Sequence, residues 1–184
     1  MDNLNSIKKA CFTGYRPLKF PFRLNKNNEQ YNYLLESLTE TLIKLIEKGC
    51  SVFYCGMAEG FDIICAEIVL SLKKKYKNLR LVCVIPFLEH NKAVKNDWKK
   101  RYDKVIFNCD EIVYSSDEYQ ISAFQIRNIY MVDHSDIVIT WYDGQKGGTK
   151  NTLTYAQKEG KNIINLNKEY SKEFKNLQNR IDFT

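Results

Sequence analysis

Four segments of this 184-residue chain combine residue types suited to holding a phosphorylated small molecule. The richest runs Asp143-Gly144-Gln145-Lys146-Gly147-Gly148-Thr149-Lys150-Asn151-Thr152. Three glycines lie within five positions, and Thr149 falls near a predicted helix start. Such a turn exposes backbone N–H groups at the positive end of a helix, an anion nest with a hydroxyl donor beside it. An ordinary tight turn with a threonine cap is the competing reading. Upstream, Arg127-Asn128-Ile129-Tyr130-Met131 places an arginine one helix before an apolar strand.

Thr13-Gly14-Tyr15-Arg16-Pro17 follows the first apolar run. Gly14 permits close backbone approach, and Arg16 offers a forked donor for phosphate or carboxylate. In Gly56-Met57-Ala58-Glu59-Gly60-Phe61-Asp62 the two glycines and Ala58 leave room for a ligand. Glu59 or Asp62 could accept hydrogen bonds from ribose hydroxyls, as the acid after a Rossmann strand does. The spacing is not the dinucleotide G-x-G-x-x-G pattern, and Asp62 reads equally well as a helix N-cap or first-turn acid. Trp141 and Tyr142 either stack a base or plug the core, with core packing expected of at least one.

The elements that must position these loops alternate between short apolar strands and amphipathic helices. Strands are predicted over 7–13, 51–55, 80–85, 111–114, 136–142 and 162–166. Tyr31, Leu34, Leu35, Leu38, Leu42, Leu45 and Ile46 recur at helical spacing after the capping loop through Asn28, and Gly49 supplies the stop. Further helices are predicted after Gly60, over 91–107 with uncertain ends, over 122–134 and over 149–159, with a short one in the tail from Asn167. Apolar strands alternating with helices imply a mostly parallel sheet of about six strands in a three-layer α/β sandwich. Right-handed crossovers gather the strand-to-helix loops at one edge, where ligands bind.

Length suits one core, so residues 1–184 are read as a single domain. No apolar run reaches a membrane span and the first residues show no leader pattern, so a cytoplasmic protein without membrane partners is expected. The six cysteines lie mostly in apolar runs without a C-x-x-C pair, and the two histidines are far apart; no metal is expected. A net charge of +6 gives a weak anionic preference. Much of it sits in Lys73-Lys74-Lys75-Tyr76-Lys77 and Lys99-Lys100-Arg101, read as helix ends or solvated faces. Basic and aromatic residues do not interleave into a base-stacking platform, so nucleic acid is not the expected partner.

Gly14-Tyr15-Arg16-Pro17, Gly56-x-Ala58-x-Gly60-Phe61-Asp62, Arg127-Asn128-x-x-Met131 and Gly147-Gly148-Thr149 together resemble the SLOG superfamily, the Rossmann-like fold shared by Smf/DprA and Lonely-guy (LOG) proteins. The chain looks most like the YpsA-type branch, with the similarity running from about Lys9 to Leu166. The LOG branch implies phosphoribohydrolase activity carried by Arg-Lys-x-x-Met and Pro-Gly-Gly-x-Gly-Thr-x-x-Glu. Here Asn128 replaces the lysine and Thr152 stands where the glutamate would be, which removes the obvious group for stabilising a ribosyl cation. Glu59 is the candidate catalytic substitute. The YpsA-like branch implies binding of NAD, ADP-ribose or a related nucleotide, some branches serving bacterial or phage conflict signalling. Smf/DprA would imply single-stranded DNA.

The expectation is therefore a nucleotide-binding sensor, carrier or sequestering protein that forms a homo-oligomer and needs no cofactor. Its ligand would lie on Gly14, Tyr15, Arg16, Gly56, Ala58, Glu59, Gly60, Asp62, Arg127, Asn128, Gly147, Gly148 and Thr149. A nucleotide N-glycosidic hydrolase is the alternative, and a nucleic-acid or protein interaction module the third reading.

Overall fold

The computed structural model describes residues 7–167, so the short helix expected after Asn167 lies outside the described residues. Six strands form one sheet: β1 (Lys9–Thr13), β2 (Val52–Cys55), β3 (Arg80–Ile85), β4 (Glu111–Tyr114), β5 (Ile137–Thr140) and β6 (Asn162–Asn165). Their spatial order is β4-β3-β2-β1-β5-β6 and every pairing is parallel, where the sequence suggested mostly parallel. Five α-helices connect them: α1 (Glu29–Glu47), α2 (Phe61–Leu72), α3 (Asn96–Asn108), α4 (Ala123–Asp133) and α5 (Gly148–Lys158). With right-handed crossovers this order puts α1, α2 and α3 on one face and α4 and α5 on the other. The packing agrees, α2 lying against α1 and α3, and α4 against α5.

The inner strands are mostly apolar because helices cover both faces, with the charged Lys9 and Arg80 exposed where β1 and β3 begin; all four residues of β5 are buried. The α1 helix starts at Asn28, whose side chain accepts from the Tyr31 N–H at 3.0 Å. It buries Tyr31, Leu34, Leu38, Leu42 and Leu45, and Gly49 (φ +99°) turns the chain into β2. The α2 helix lies between the sheet, α1 and α3, and is buried on most of its circumference at Phe61, Ile63, Ile64, Cys65, Ala66 and Val69.

Two boundaries moved for identifiable reasons. The stretch expected as one helix over 91–107 divides into a 3-10 turn, His90–Ala93, and α3. Between them Val94 and Lys95 are extended, because Val94 is buried in the core and the Lys95 N–H is held at 3.2 Å by Glu59 Oε1. Strand β5 ends at Thr140 rather than Tyr142, since its neighbour β1 ends opposite it at Thr13. Five of the six cysteines are buried, Cys109 is half-buried and all are free. Among the described residues no cluster of His, Cys, Asp and Glu is arranged to hold a metal, and no helix is long and apolar enough to cross a membrane.

Candidate functional site

The sheet order reverses at β1: β2 to β4 extend to one side and β5 and β6 to the other. At the carboxyl ends of β1 and β5 the departing loops diverge and leave a cleft of about 630 Å³. The β1 loop, Gly14 to Lys19, forms one wall, and Ala58, Glu59 and Asp62 come from the β2 loop and the start of α2. Phe124, Arg127 and Asn128 enter from α4, Gly148 and Thr149 from α5, and Trp98 from α3.

Of the residues singled out in the sequence, Gly14, Tyr15, Arg16, Ala58, Glu59, Asp62, Arg127, Asn128, Gly148 and Thr149 line this cleft, whereas Gly56, Gly60 and Gly147 do not. Those three glycines shape it from behind. A Cβ at Gly56 would run into the Arg127 guanidinium. Gly60 has φ +93°, and a Cβ there would lie 2.5 Å from the Tyr15 carbonyl. Gly147, at φ +145°, holds the turn into α5, with Lys19 Nζ 2.7 Å from where its Cβ would sit.

Asp62 and Arg127 form the floor. Both are buried, with relative exposures of 4% and 6%. Arg127 NH1 donates to the Gly56 carbonyl and lies 3.8 Å from Asp62 Oδ2, which also accepts from the Ala58 N–H at 3.3 Å. Burial pushes the Asp62 carboxyl up to about 6 despite the opposing pull of Arg127, and burial lowers Arg127 despite the attraction of Asp62. At 3.8 Å the pair is held by charge more than by a hydrogen bond. Arg127 Nε has no partner among the described residues. Asp62 is thus a first-turn acid of α2, whose N-cap is Gly60, and its Oδ2 anchors Arg127.

Several expected ligand donors are engaged within the protein. The Tyr15 ring is 2% exposed and packs edge-on against Phe20, Trp141 and Tyr142. Its hydroxyl donates to Asp143 Oδ1 and accepts from the Gln145 N–H at 3.2 Å. Burial, then the Asp143 carboxylate, keep that phenol protonated. Tyr15 therefore fixes the β5–α5 loop, and Trp141 and Tyr142 are both core residues. Thr149 is inside the first turn of α5, not its cap, and its hydroxyl donates to the Gly14 carbonyl at 3.0 Å. Lys19 Nζ donates to the Lys146 carbonyl at 2.9 Å and closes the same pair of loops.

What remains open is the start of α5. The first helical hydrogen bond there runs from the Asn151 N–H to the Gly147 carbonyl at 3.1 Å, so the amides of Gly148, Thr149 and Lys150 precede the ladder. Arg16 is exposed at the mouth, its guanidinium 5.8 Å from the Phe124 ring centroid. Glu59 is half-buried, and one oxygen is committed to the start of α3. Thr152 is buried and turned from the cleft, its hydroxyl donating to the Gly148 carbonyl at 2.9 Å.

Sequence reasoning missed Trp98 and Phe124 in the cleft lining and His90 packed beside Phe124. Phe124 lies one helical turn before Arg127, a spacing that could have flagged it. The other two carried no signal, because the irregular segment before α3 sets their place. His90 is buried against Phe87, Phe124 and Tyr102 at centroid distances of 5.7, 5.8 and 6.0 Å. Burial first, then the charges of Arg127 and Arg16, lower its pKa to about 4.

Comparison with known proteins agrees with this architecture. The profile of the YspA SLOG family matches residues 10–183. An uncharacterized SPbeta prophage-derived protein, YoqJ of Bacillus subtilis (strain 168), is 35% identical over 138 residues, 68% of this chain and 81% of that protein. A UPF0398 protein of Bacillus thuringiensis (strain Al Hakam) is 26% identical over 183 residues, 96% of both chains. Two solved structures share the fold. One, of DNA processing protein A from Helicobacter pylori, is described by its single-stranded DNA binding mode; its TM-score is 0.60 at 21% identity, covering 96% of this chain and 80% of that one. The other, DprA from Streptococcus pneumoniae, has a TM-score of 0.56 at 17% identity over 88% of this chain, which spans half of that protein's length.

Proposed function

The chain belongs to the YspA SLOG family, and from that membership and the geometry of the cleft we propose that it binds a phosphorylated ribosyl ligand. NAD, ADP-ribose or a related nucleotide is the class, and the protein acts as its sensor, carrier or sequestering agent. The observation that carries this reading is Gly148. It is exposed, its φ is outside the left-handed region, and a Cβ there would meet nothing within 4 Å. Glycine in a helix is less favourable than alanine by roughly 0.5–1 kcal/mol. Neither backbone conformation nor packing requires a glycine here, whereas close approach of an anion to the open amides of α5 does. Arg16 on the facing wall supplies the forked cation that such a group prefers.

Binding without turnover is the better-supported half. The position matching the LOG glutamate is Thr152, a buried hydroxyl already bonded to Gly148. Glu59, the other carboxylate beside the cleft's α3 edge, accepts from the Lys95 amide. AMP, NAD and ADP-ribose are expected to survive prolonged incubation with the protein, followed by chromatography. Release of free base at many turnovers, stopped by Glu59→Gln, would overturn this half. For the binding itself, Gly148→Asp puts a side chain and a negative charge against the open amides. Titration calorimetry should show at least a tenfold loss of affinity for the nucleotide that binds, and unchanged affinity in a folded variant would sink the assignment.

A second reading has one observation in its favour. The fold neighbour from Helicobacter pylori is described by its mode of binding single-stranded DNA, and this cleft combines Arg16 and Lys19 with the aromatic rings of Trp98 and Phe124. Oligonucleotide affinity that falls steeply with salt, without measurable mononucleotide binding, would favour that reading. Homo-oligomer formation belongs to the same proposal. Leu18 and Ile121, 100% and 94% exposed, offer apolar surface for a second copy, and light scattering reads the outcome directly.

A further inference from the structure

Beside the cleft lies a smaller groove of about 210 Å³ between α4 and α5. Its walls are one face of each helix. Phe124, Gln125 and Ile129 face it from α4, and Gly148, Asn151 and Tyr155 from α5, at the three- and four-residue spacings of a helical stripe. The two spaces are continuous, because Phe124, Asn128 and Gly148 line both. Among the described residues no side chain lining the groove carries a charge, whereas the cleft holds Arg16, Lys19, Glu59, Asp62 and Arg127. The volume is below the roughly 300–1,000 Å³ of a site for a whole drug-sized ligand, and so suits one ring system.

We propose that this groove is the base-selecting subsite of the nucleotide, taking a neutral, flat heterocycle of the adenine type while phosphate and ribose occupy the cleft. The proposal rests on reading the cleft as a phosphate–ribose site. Gly148 is its hinge. At the first turn of α5 it separates the open amides from the groove, and without a side chain it lets one ligand reach both. The apolar walls from Phe124 and Ile129 accept the faces of a ring. The carboxamides of Gln125, Asn128 and Asn151 supply paired donors and acceptors for its edge. A carboxamide matches the adjacent donor and acceptor of adenine in a bidentate pair. Guanine is preferentially read by a charged guanidinium or ammonium, which the groove lacks. The Thr152 hydroxyl donates to the Gly148 carbonyl and the Tyr155 hydroxyl to Asp133, so the carboxamides are left to do the selecting.

Calorimetry on the full chain with ribose 5-phosphate, AMP and GMP tests this. In the wild type AMP should bind at least tenfold more tightly than ribose 5-phosphate and more tightly than GMP. Ile129→Trp, which fills the groove without touching the cleft, should bring AMP down to the level of ribose 5-phosphate and leave the sugar phosphate unchanged. Gln125→Leu and Asn151→Leu, both at exposed positions, keep the fold and should each narrow the preference for AMP over GMP. Equal binding of AMP and ribose 5-phosphate by the wild type would overturn the subsite and leave the cleft reading standing. So would an Ile129→Trp variant, folded by circular dichroism, that still prefers AMP. If neither compound binds the wild type, the phosphate–ribose reading fails and the subsite falls with it.

Discussion

Two helices, α2 and α5, begin at the same cleft, each entered through a glycine with positive φ, and the protein treats the two ends oppositely. At α2 the open positions are filled from within. The Phe61 N–H donates to the Tyr15 carbonyl at 3.1 Å, and Asp62 puts a carboxylate in the first turn. Arg127 supplies the countercharge. At α5 no acid occupies the first turn, the Thr149 hydroxyl donates to the Gly14 carbonyl, and Gly148 leaves the approach clear. One positive helix end is neutralised by the protein's own anion and the other is left for an external one. A glycine-rich turn at a helix start is thus not evidence of a ligand until its neighbours are counted.

The largest effect is expected from breaking the self-satisfied end. Arg127→Ala leaves Asp62 buried without a countercharge and the Gly56 carbonyl without its donor. The cost should be about 3–5 kcal/mol at pH 7, the scale for removing one partner of a buried pair. Urea denaturation measures it. A loss below about 1 kcal/mol would mean that solvent reaches the floor, and the two ends would then differ less than their geometry suggests.

The same pair sharpens the comparison through pH. In the folded protein Asp62 titrates near 6, above its ordinary 3.8, so its contribution is complete at acid pH and declines as pH rises through about 4–6. His90 titrates near 4, below its ordinary 6.5, so its contribution is complete above about 6.5 and declines as pH falls toward 4. The two slopes oppose each other in one window. Asp62→Asn removes the first and keeps an acceptor for the Ala58 amide. Relative to wild type, the variant should lose on the order of 2–3 kcal/mol more between pH 6.5 and 4. Denaturation midpoints at the two pH values report it, and parallel curves for both proteins would refute the buried, charge-costly floor.

How far the sequence reached follows the same division. Strand and helix positions were legible because apolar periodicity and glycine stops are local. So was the convergence of three loops, which needs only the handedness of the crossovers. The direction of a side chain was not. Tyr15 lies among residues expected at a ligand, yet its ring is drawn into the cluster with Phe20 and Trp141 by aromatic burial that no spacing rule announces. Gly56 looks like room for a ligand, and only the arrival of Arg127 from 71 residues away shows that the room is taken. Trp98 reaches the cleft because Val94 plugs the core and interrupts a helix that the pattern ran straight through.

The smallest effect tests the comparison most directly, because it pairs one substitution at both helix starts. Gly60→Ala forces a side chain onto a backbone at φ +93° and into the Tyr15 carbonyl, so it should cost roughly 1–3 kcal/mol. Gly148→Ala meets open space at an ordinary φ, so it should leave stability unchanged or raise it by up to about 1 kcal/mol through the entropy of the unfolded chain. Its cost should fall on binding. A methyl group at the first turn of α5 holds a phosphate away from the amides, weakening nucleotide affinity in a protein that melts no lower than wild type. Thermal melts with and without nucleotide separate the two effects. A Gly148→Ala protein that is less stable without ligand, by as much as Gly60→Ala, would show that both glycines serve the fold alone. The open end of α5 would then be one more turn that the chain needs for itself.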